Sequence, residues 1–144
     1  MGSILSKFVG KNNSGDIVNE NNVPIYRYAD VLLLLAEAKN NLGEDPSAEI
    51  NQVRARAYGS NYNAATYGYT NSTKAINTKT ILDKHYKEFI GEGKRWWDLL
   101  RAGDNFVYDE VASMTSGGTR KNIYLPISPS MITDNKTLVQ TEGY

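Results

Sequence analysis

Residues 88–101, EFIGEGKRWWDLLR, hold both tryptophans of the chain, side by side. Charges of both signs surround them: Glu88, Glu92, Lys94, Arg95, Asp98 and Arg101. The pattern predicts a long helix that starts near Thr80, with Asp83 as a short-armed capping-box partner, and stops at Gly103. Leu82, Tyr86, Phe89, Ile90, Trp97 and Leu100 make its apolar face. Gly91 and Gly93 each cost such a helix about 1 kcal/mol relative to alanine, so close backbone contact or a kink is expected there.

On that helix Glu88 and Glu92 would flank Arg95, and Lys94 and Arg101 would meet Asp98 at three- and four-residue spacing. A glycosidase pair is the competing reading. Glycosidases, however, hold two carboxylates across a substrate cleft, whereas Glu88 and Glu92 lie one turn apart on one face. Structural pairing is preferred, and no catalytic residue is assigned. Neighbouring helix positions point about 100° apart, so Trp96 and Trp97 cannot form one sugar-stacking surface. Both are expected to pack between helices, Trp97 in the core stripe.

Upstream, a helix is expected over 26–42, with Tyr28, Leu32, Leu35, Ala36 and Leu42 near one face and Leu33 and Leu34 widening it. Gly43 suits a left-handed C-cap. Asp45 and Pro46 restart the chain as N-cap and first helical position. The second helix reaches Tyr58 and turns Ile50, Val53 and Ala57 inward. The resulting αα-hairpin spans residues 25–58, the length of a tetratricopeptide (TPR) repeat. A lone repeat cannot bury its face, so it must stack on other helices. The expected class is all-α with irregular loops: a TPR-like hairpin packed on a further long helix. Residues 1–22 read as a flexible arm with a short strand at 4–9, and 23–144 as the helical domain. In the tail, 125–127 is extended, Ser128 and Pro129 open a short turn through Ile132, and Tyr144 is a terminal anchor.

The chain has 144 residues, 16 basic and 16 acidic, which argues against a nucleic-acid partner. With no cysteine, disulfides and thiolate chemistry are excluded, and the single histidine excludes a histidine-rich metal centre. No metal and no cofactor is expected. His85 reads as a surface residue beside Lys84 and Lys87. The longest apolar run, 31–36, is far short of the roughly 20 residues of a membrane span. Arg27 and Asp30 are expected in ion pairs, local or to the third helix, with Asp98 a candidate partner.

Residues 59–77, GSNYNAATYGYTNSTKAIN, read as a long loop, a kind that is commonly functional or mobile. Together with Tyr58 it brings tyrosines among Asn61, Asn63 and Asn71. Tyrosine offers a flat apolar face with a hydroxyl, and asparagine offers amide donors and acceptors, a mix that suits polyhydroxylated ligands or protein partners. Tyr62, Asn63, Tyr67 and Tyr69 are the candidate ligand-binding residues; the competing reading folds the tyrosines back on the core.

Four blocks in order, RYADVLLLLAEAKNNLG, AEINQVRARA, EFIGEGKRWWDLLRAG and YLPISPSMITDNKTLVQTEGY, resemble the C-terminal region of the SusD/RagB family over residues 24–144. Two departures stand out. Lys84-His85-Tyr86-Lys87 precedes Glu88 where the family carries Glu-Arg and more arginine, and the chain ends Gln140-Thr141-Glu142-Gly143-Tyr144 rather than Gln-Asn-Pro-Gly-Tyr. The resemblance implies part of a SusD-like α-α superhelix. It implies a surface-exposed outer-membrane lipoprotein of Bacteroidetes, a binder of oligosaccharide or other nutrient and not an enzyme. The implied partner is a SusC-like TonB-dependent transporter, and the lipid anchor of such proteins is not carried by this chain. No binding residue transfers by motif. The alternative is a helical-repeat module for protein–protein contact.

Overall fold

The computed structural model describes residues 7, 10–18, 22, 24–118, 122–142 and 144. It divides into two compact units, Met1–Arg95 and Trp96–Tyr144. The architecture is predominantly helical, as expected. The strand expected at 4–9 lies, Lys7 apart, outside the described residues. A small hairpin pairs β1 (Gly10–Lys11) antiparallel with β2 (Ile17–Val18). The Asn12 side chain closes its turn by accepting from the Ser14 and Asp16 amides at 3.0 and 2.9 Å.

The first unit is built on α1 (Tyr28–Leu42), which packs against both α2 (Ser47–Tyr58) and a later helix, α4 (Lys74–Glu88). At the start of α1 the Asp30 carboxylate accepts the Arg27 amide at 2.7 Å, the returning half of a capping box. Gly43 ends it at φ 80°, the left-handed conformation expected of a C-cap glycine. Asp45 accepts the Ser47 amide at 2.7 Å just before α2, but the helix starts one residue later than expected, with Pro46 as its N-cap.

Because α1 has neighbours on two sides, its buried arc is centred differently from the predicted one. Ala29, Leu32, Leu33, Ala36 and Asn40 are buried, while Tyr28, Leu35 and Leu42 are exposed. Ala29, Leu32 and Leu33 meet Val53 and Phe89; Ala36 meets Ile50 and Ile81, with Tyr69 packed alongside. Ala57 stays exposed, against expectation. Fully burying a side chain such as Leu33 or Ile50 is worth roughly 1.5–3 kcal/mol, so these two clusters are the main adhesive of the unit.

The third predicted helix is corrected in both extent and continuity. It begins six residues early, at Lys74, because Thr73 caps it by accepting the Ile76 amide at 3.4 Å. It also ends early, at Glu88. Gly91 and Gly93 adopt φ 80° and 73°, where side-chain-bearing residues are strained, and the chain turns before α5 (Arg95–Ala102). The glycines therefore mark a full break. The new helix starts in a new phase, which overturns the tryptophan reading: Trp97 is 63% exposed and Trp96 half-buried, while Asp98 and Leu99 are buried. His85, expected at the surface, is buried on the inner face of α4 with its ring 5.4 Å from that of Phe89.

The charge pairing changes with the break. Arg27, not Arg95, lies between the two glutamates. Its Nη1 donates to Glu88 Oε1 at 2.8 Å, and its Nε and Nη2 grip the two Glu92 oxygens at 3.1 and 2.9 Å. Nη2 also reaches the Glu88 carbonyl at 2.9 Å. Lys7 donates to Glu92 as well, and Arg56 to Glu88 at 2.8 Å. Lys94 pairs with Asp30 at 2.7 Å rather than with Asp98. Arg95 donates to the Leu82 carbonyl at 2.9 Å. Arg27 and Asp30 thus bind the segment that follows α4, not Asp98.

The second unit holds the rest of α5, α6 (Asp104–Glu110), a 3-10 segment (Ala112–Gly118) and a short helix at Pro129–Asp134, the turn expected after Ser128. Arg101 pairs with Asp98 at 2.8 Å, as expected. The Gln140 side chain bonds both the amide and the carbonyl of Ile127, at 2.7 and 2.9 Å, like a missing strand neighbour. Tyr144 is exposed.

The clamp makes folding depend on pH. Burial pushes the Glu92 carboxyl up, but the bonds and charges of Arg27 and Lys7 outweigh that and hold it below the usual carboxylate range. A depressed folded pKa stabilises above the unfolded value, about 4.3, and the gain is lost as pH falls through the folded value. Glu92→Gln is therefore expected to cost about 3 kcal/mol at neutral pH. The gap to the parent should close as urea unfolding is repeated toward pH 3; a gap that stays constant would count against the clamp.

Candidate functional site

The 59–77 segment is more ordered than a long loop. Gly59–Asn61 forms a 3-10 turn, Ala64–Tyr67 forms the short helix α3, and α4 takes the last residues. Asn63 caps α3 by accepting the Ala65 amide at 2.9 Å. Gly68 follows so closely that a Cβ there would lie 2.3 Å from the Ala64 carbonyl oxygen, so only glycine fits without a shift.

Side-chain amides tie the segment to the helices. Asn51 on α2 bonds the backbone of Tyr69 twice, accepting its N–H at 2.6 Å and donating to its carbonyl at 2.8 Å. Asn77 on α4 is buried. Its Oδ1 accepts from the Tyr69 hydroxyl at 2.5 Å and the Ser72 amide at 3.1 Å. Its Nδ2 faces Asn40 Oδ1 at 3.0 Å, Asn71 Oδ1 at 2.9 Å and the Ser72 carbonyl at 3.3 Å. Asn40 in turn donates to Thr78 Oγ1 at 2.9 Å and the Lys74 carbonyl at 3.1 Å. A buried amide with both ends satisfied fixes its neighbours, since each broken bond would leave a desolvated polar atom.

This anchoring sorts the four candidate residues. Tyr69 is half-buried against the Ala36, Ile50 and Ile81 cluster, with Arg54 5.3 Å from its ring centroid. Asn63 has its side-chain oxygen in the α3 cap. Tyr67 stacks on Tyr58, with centroids 4.3 Å apart and planes 16° from parallel. Tyr62 stands 6.5 Å from Tyr58 on a tilted plane. Tyr58, Tyr62 and Tyr67 are therefore brought together, and Tyr69 serves a separate contact. Tyr58 and Tyr67 are 41% and 37% exposed, so the stacked pair still offers apolar area to solvent. The Tyr67 carbonyl accepts from Arg54 Nη1 at 2.8 Å, which fixes the pair to α2.

The sequence reading missed Asn51, Asn77 and Arg54, the residues that hold the tyrosines. Asn51 and Arg54 are three apart on α2 and share a helix face, a visible signal; the contacts they make carry no spacing rule. A concavity of about 300 Å³ lies along α1 and α2 and is lined by Arg27, Tyr28, Ala29, Leu32, Gln52, Val53 and Arg56. Among the described residues no group of three or more His, Asp or Glu side chains is placed to hold a metal ion. Glu88 and Glu92, the pair with a catalytic alternative, share one guanidinium. No helix among the described residues is long and apolar enough to cross a membrane.

Asn77→Asp tests the anchoring. The substitution is nearly isosteric but sets a carboxylate oxygen against three acceptors. The expected loss is about 3 kcal/mol at neutral pH, read by thermal or urea unfolding, with part recovered below about pH 4 when the acid protonates. A variant as stable as the parent would mean the network does not hold the segment.

Comparison with known proteins gives one consistent result. Residues 1–144 match the SusD family. SusD-like protein P38 of Formosa agariphila is 33% identical over 97% of this chain, and starch-binding protein SusD of Bacteroides thetaiotaomicron is 28% identical over 94% of it. The chain spans 28% and 24% of the lengths of those two relatives. Among solved structures, a SusD superfamily protein of Bacteroides fragilis superposes with a TM-score of 0.70 at 31% identity, over 92% of this chain and 30% of its own. One from Bacteroides vulgatus superposes with a TM-score of 0.66 at 33% identity, over 94% of this chain and 35% of its own. With the whole length matched, the helical hairpin in place and the resemblance of the four sequence blocks upheld, the chain belongs to the SusD family.

Proposed function

We propose that this chain belongs to the glycan- or nutrient-binding component of an outer-membrane uptake system, working at the cell surface with a SusC-like TonB-dependent transporter. Family membership supports the general role, and one relative bears the name of a starch-binding protein. The observation that carries the reading to particular residues is the Tyr58–Tyr67 stack, with Tyr62 beside it. Sugar rings present C–H faces that pack on aromatic planes, and phenolic hydroxyls bond their rims. A rigid platform loses little entropy on binding, and the Arg54 bond to Tyr67 supplies that rigidity. Asn63, next to Tyr62 in the chain, caps α3 and leaves its amide nitrogen as a donor for the same ligand. Tyr69 packs against the Ala36, Ile50 and Ile81 cluster and anchors the segment there.

A protein-contact role has its own observation. Tyr28, Val31, Leu35 and Leu42 are exposed on α1 at three- and four-residue steps or their multiples. That is the spacing by which one helix receives another. In this reading the stripe meets another helix, and it is compatible with a glycan platform elsewhere on the unit.

Calorimetric titration with a panel of neutral and acidic oligosaccharides tests the platform. Tyr67→Ala and Tyr58→Ala are each expected to weaken binding roughly tenfold, equivalent to about 1.4 kcal/mol, with little change in unfolding temperature. Unaltered affinity in both variants would move the site elsewhere.

A further inference from the structure

Next to the stacked tyrosines lies a feature the platform does not use. A cavity of about 80 Å³ opens between α2 and α4, lined by Val53, Arg54, Ala57, Lys84, Lys87 and Glu88. A space of that size admits several water molecules, so it has room for a carboxylate or sulfate group.

The walls carry more positive charge than their acids can neutralise. Glu88 is the one carboxylate in the lining, and its Oε1 already receives Arg27 and Arg56, each at 2.8 Å. Lys87 pairs with Asp83 at 2.8 Å, but both side chains are largely exposed, and such pairs hold weakly. Lys84 makes no ion pair among the described residues. Burial, and then the Arg54 charge, push its ammonium down from the usual lysine range. Arg54 donates Nη1 to the Tyr67 carbonyl, while its buried Nε has no acceptor among the described residues. A buried donor without a partner is costly, and an incoming anion would satisfy it.

Arg54 belongs to both features. It lines the cavity and holds Tyr67, whose ring stacks on Tyr58 one residue beyond Ala57. We propose that the cavity formed by Arg54, Lys84 and Lys87 is an anion subsite of the aromatic platform, and that the ligand is an acidic glycan bearing carboxylate or sulfate groups. The inference rests on the reading of Tyr58 and Tyr67 as a sugar platform. A saccharide lying on the rings inserts one acidic substituent between α2 and α4. Since the chain as a whole is neutral, with 16 basic and 16 acidic residues, this preference is local and not a general attraction for polyanions.

The test is calorimetric titration of the protein with three oligosaccharides: an oligogalacturonate, a chondroitin sulfate hexasaccharide and neutral maltoheptaose. At least one acidic probe is expected to bind tenfold or more tightly than maltoheptaose, and the stronger of the two identifies carboxylate or sulfate. Lys84→Gln should reduce acidic binding about tenfold and leave neutral binding and unfolding temperature unchanged; Lys84→Arg should restore the acidic preference. Equal binding of all three probes, or an equal loss for neutral and acidic probes in Lys84→Gln, would overturn the subsite. Neutral binding that Tyr67→Ala weakens and Lys84→Gln does not, without an acidic preference, would overturn the subsite alone. Acidic binding that depends on Lys84 but not on Tyr67 or Tyr58 would overturn the shared platform.

Discussion

The guanidinium of Arg27 grips two carboxylates four residues apart, and the path of the chain between α4 and α5 depends on that contact. Glu88 and Glu92 would repel each other on a continuous helix. The helix instead stops at Glu88, and the chain turns through Gly91 and Gly93 so that Glu92 comes back to the same cation. The Glu92 side chain is wholly buried, so the pair carries a desolvation cost that offsets much of its attraction. Its value lies in specificity: a turn that carried Glu92 away from Arg27 would lose both guanidinium bonds to a buried carboxylate. Phe89 lies under both Arg27 and Lys94, at 4.8 and 5.1 Å, and joins this polar lock to the apolar cluster on α1. Lys94 closes the circuit through Asp30, which also caps the helix that Arg27 precedes.

A second polar lock performs the same service for the tyrosines. Asn77, Asn40 and Asn51 replace backbone pairing in a segment with little secondary structure of its own, and they do so from helices already fixed by Leu33, Ile50 and Ile81. Binding residues on a held loop combine loop variability with scaffold precision. The segment so held carries Tyr67 onto Tyr58, while Arg54 and Lys84 stand on α2 and α4 themselves.

What was legible in the sequence follows from locality. The αα-hairpin, its glycine cap at Gly43 and the short helix after Ser128 rest on signals within a few residues, and each is found. The partner of Glu92 was not legible, because Arg27 is 65 residues away and no spacing rule reaches so far. Asn77 and His85 were missed for a related reason: a buried polar residue is marked by its partners or packing, not by its type. Trp97 shows how one error propagates. Helical phase was carried through Gly91 and Gly93 as though they bent the helix, and once the turn resets that phase, a residue assigned to the core becomes 63% exposed. In the tyrosine-rich segment, composition did not separate the solvent-facing Tyr58–Tyr67 pair from the half-buried Tyr69, because that separation depends on contacts with two separate helices.

The most direct measurement is a double-mutant cycle between Arg27 and Glu92, with methionine at either or both positions and stability read by urea unfolding at neutral pH. If the guanidinium lock organises the turn, the coupling is about 2 kcal/mol or more, and the double variant is no less stable than either single one. A coupling below about 0.5 kcal/mol, with additive losses, would show that the turn is held by its glycines and by Phe89 instead, and would contradict the account.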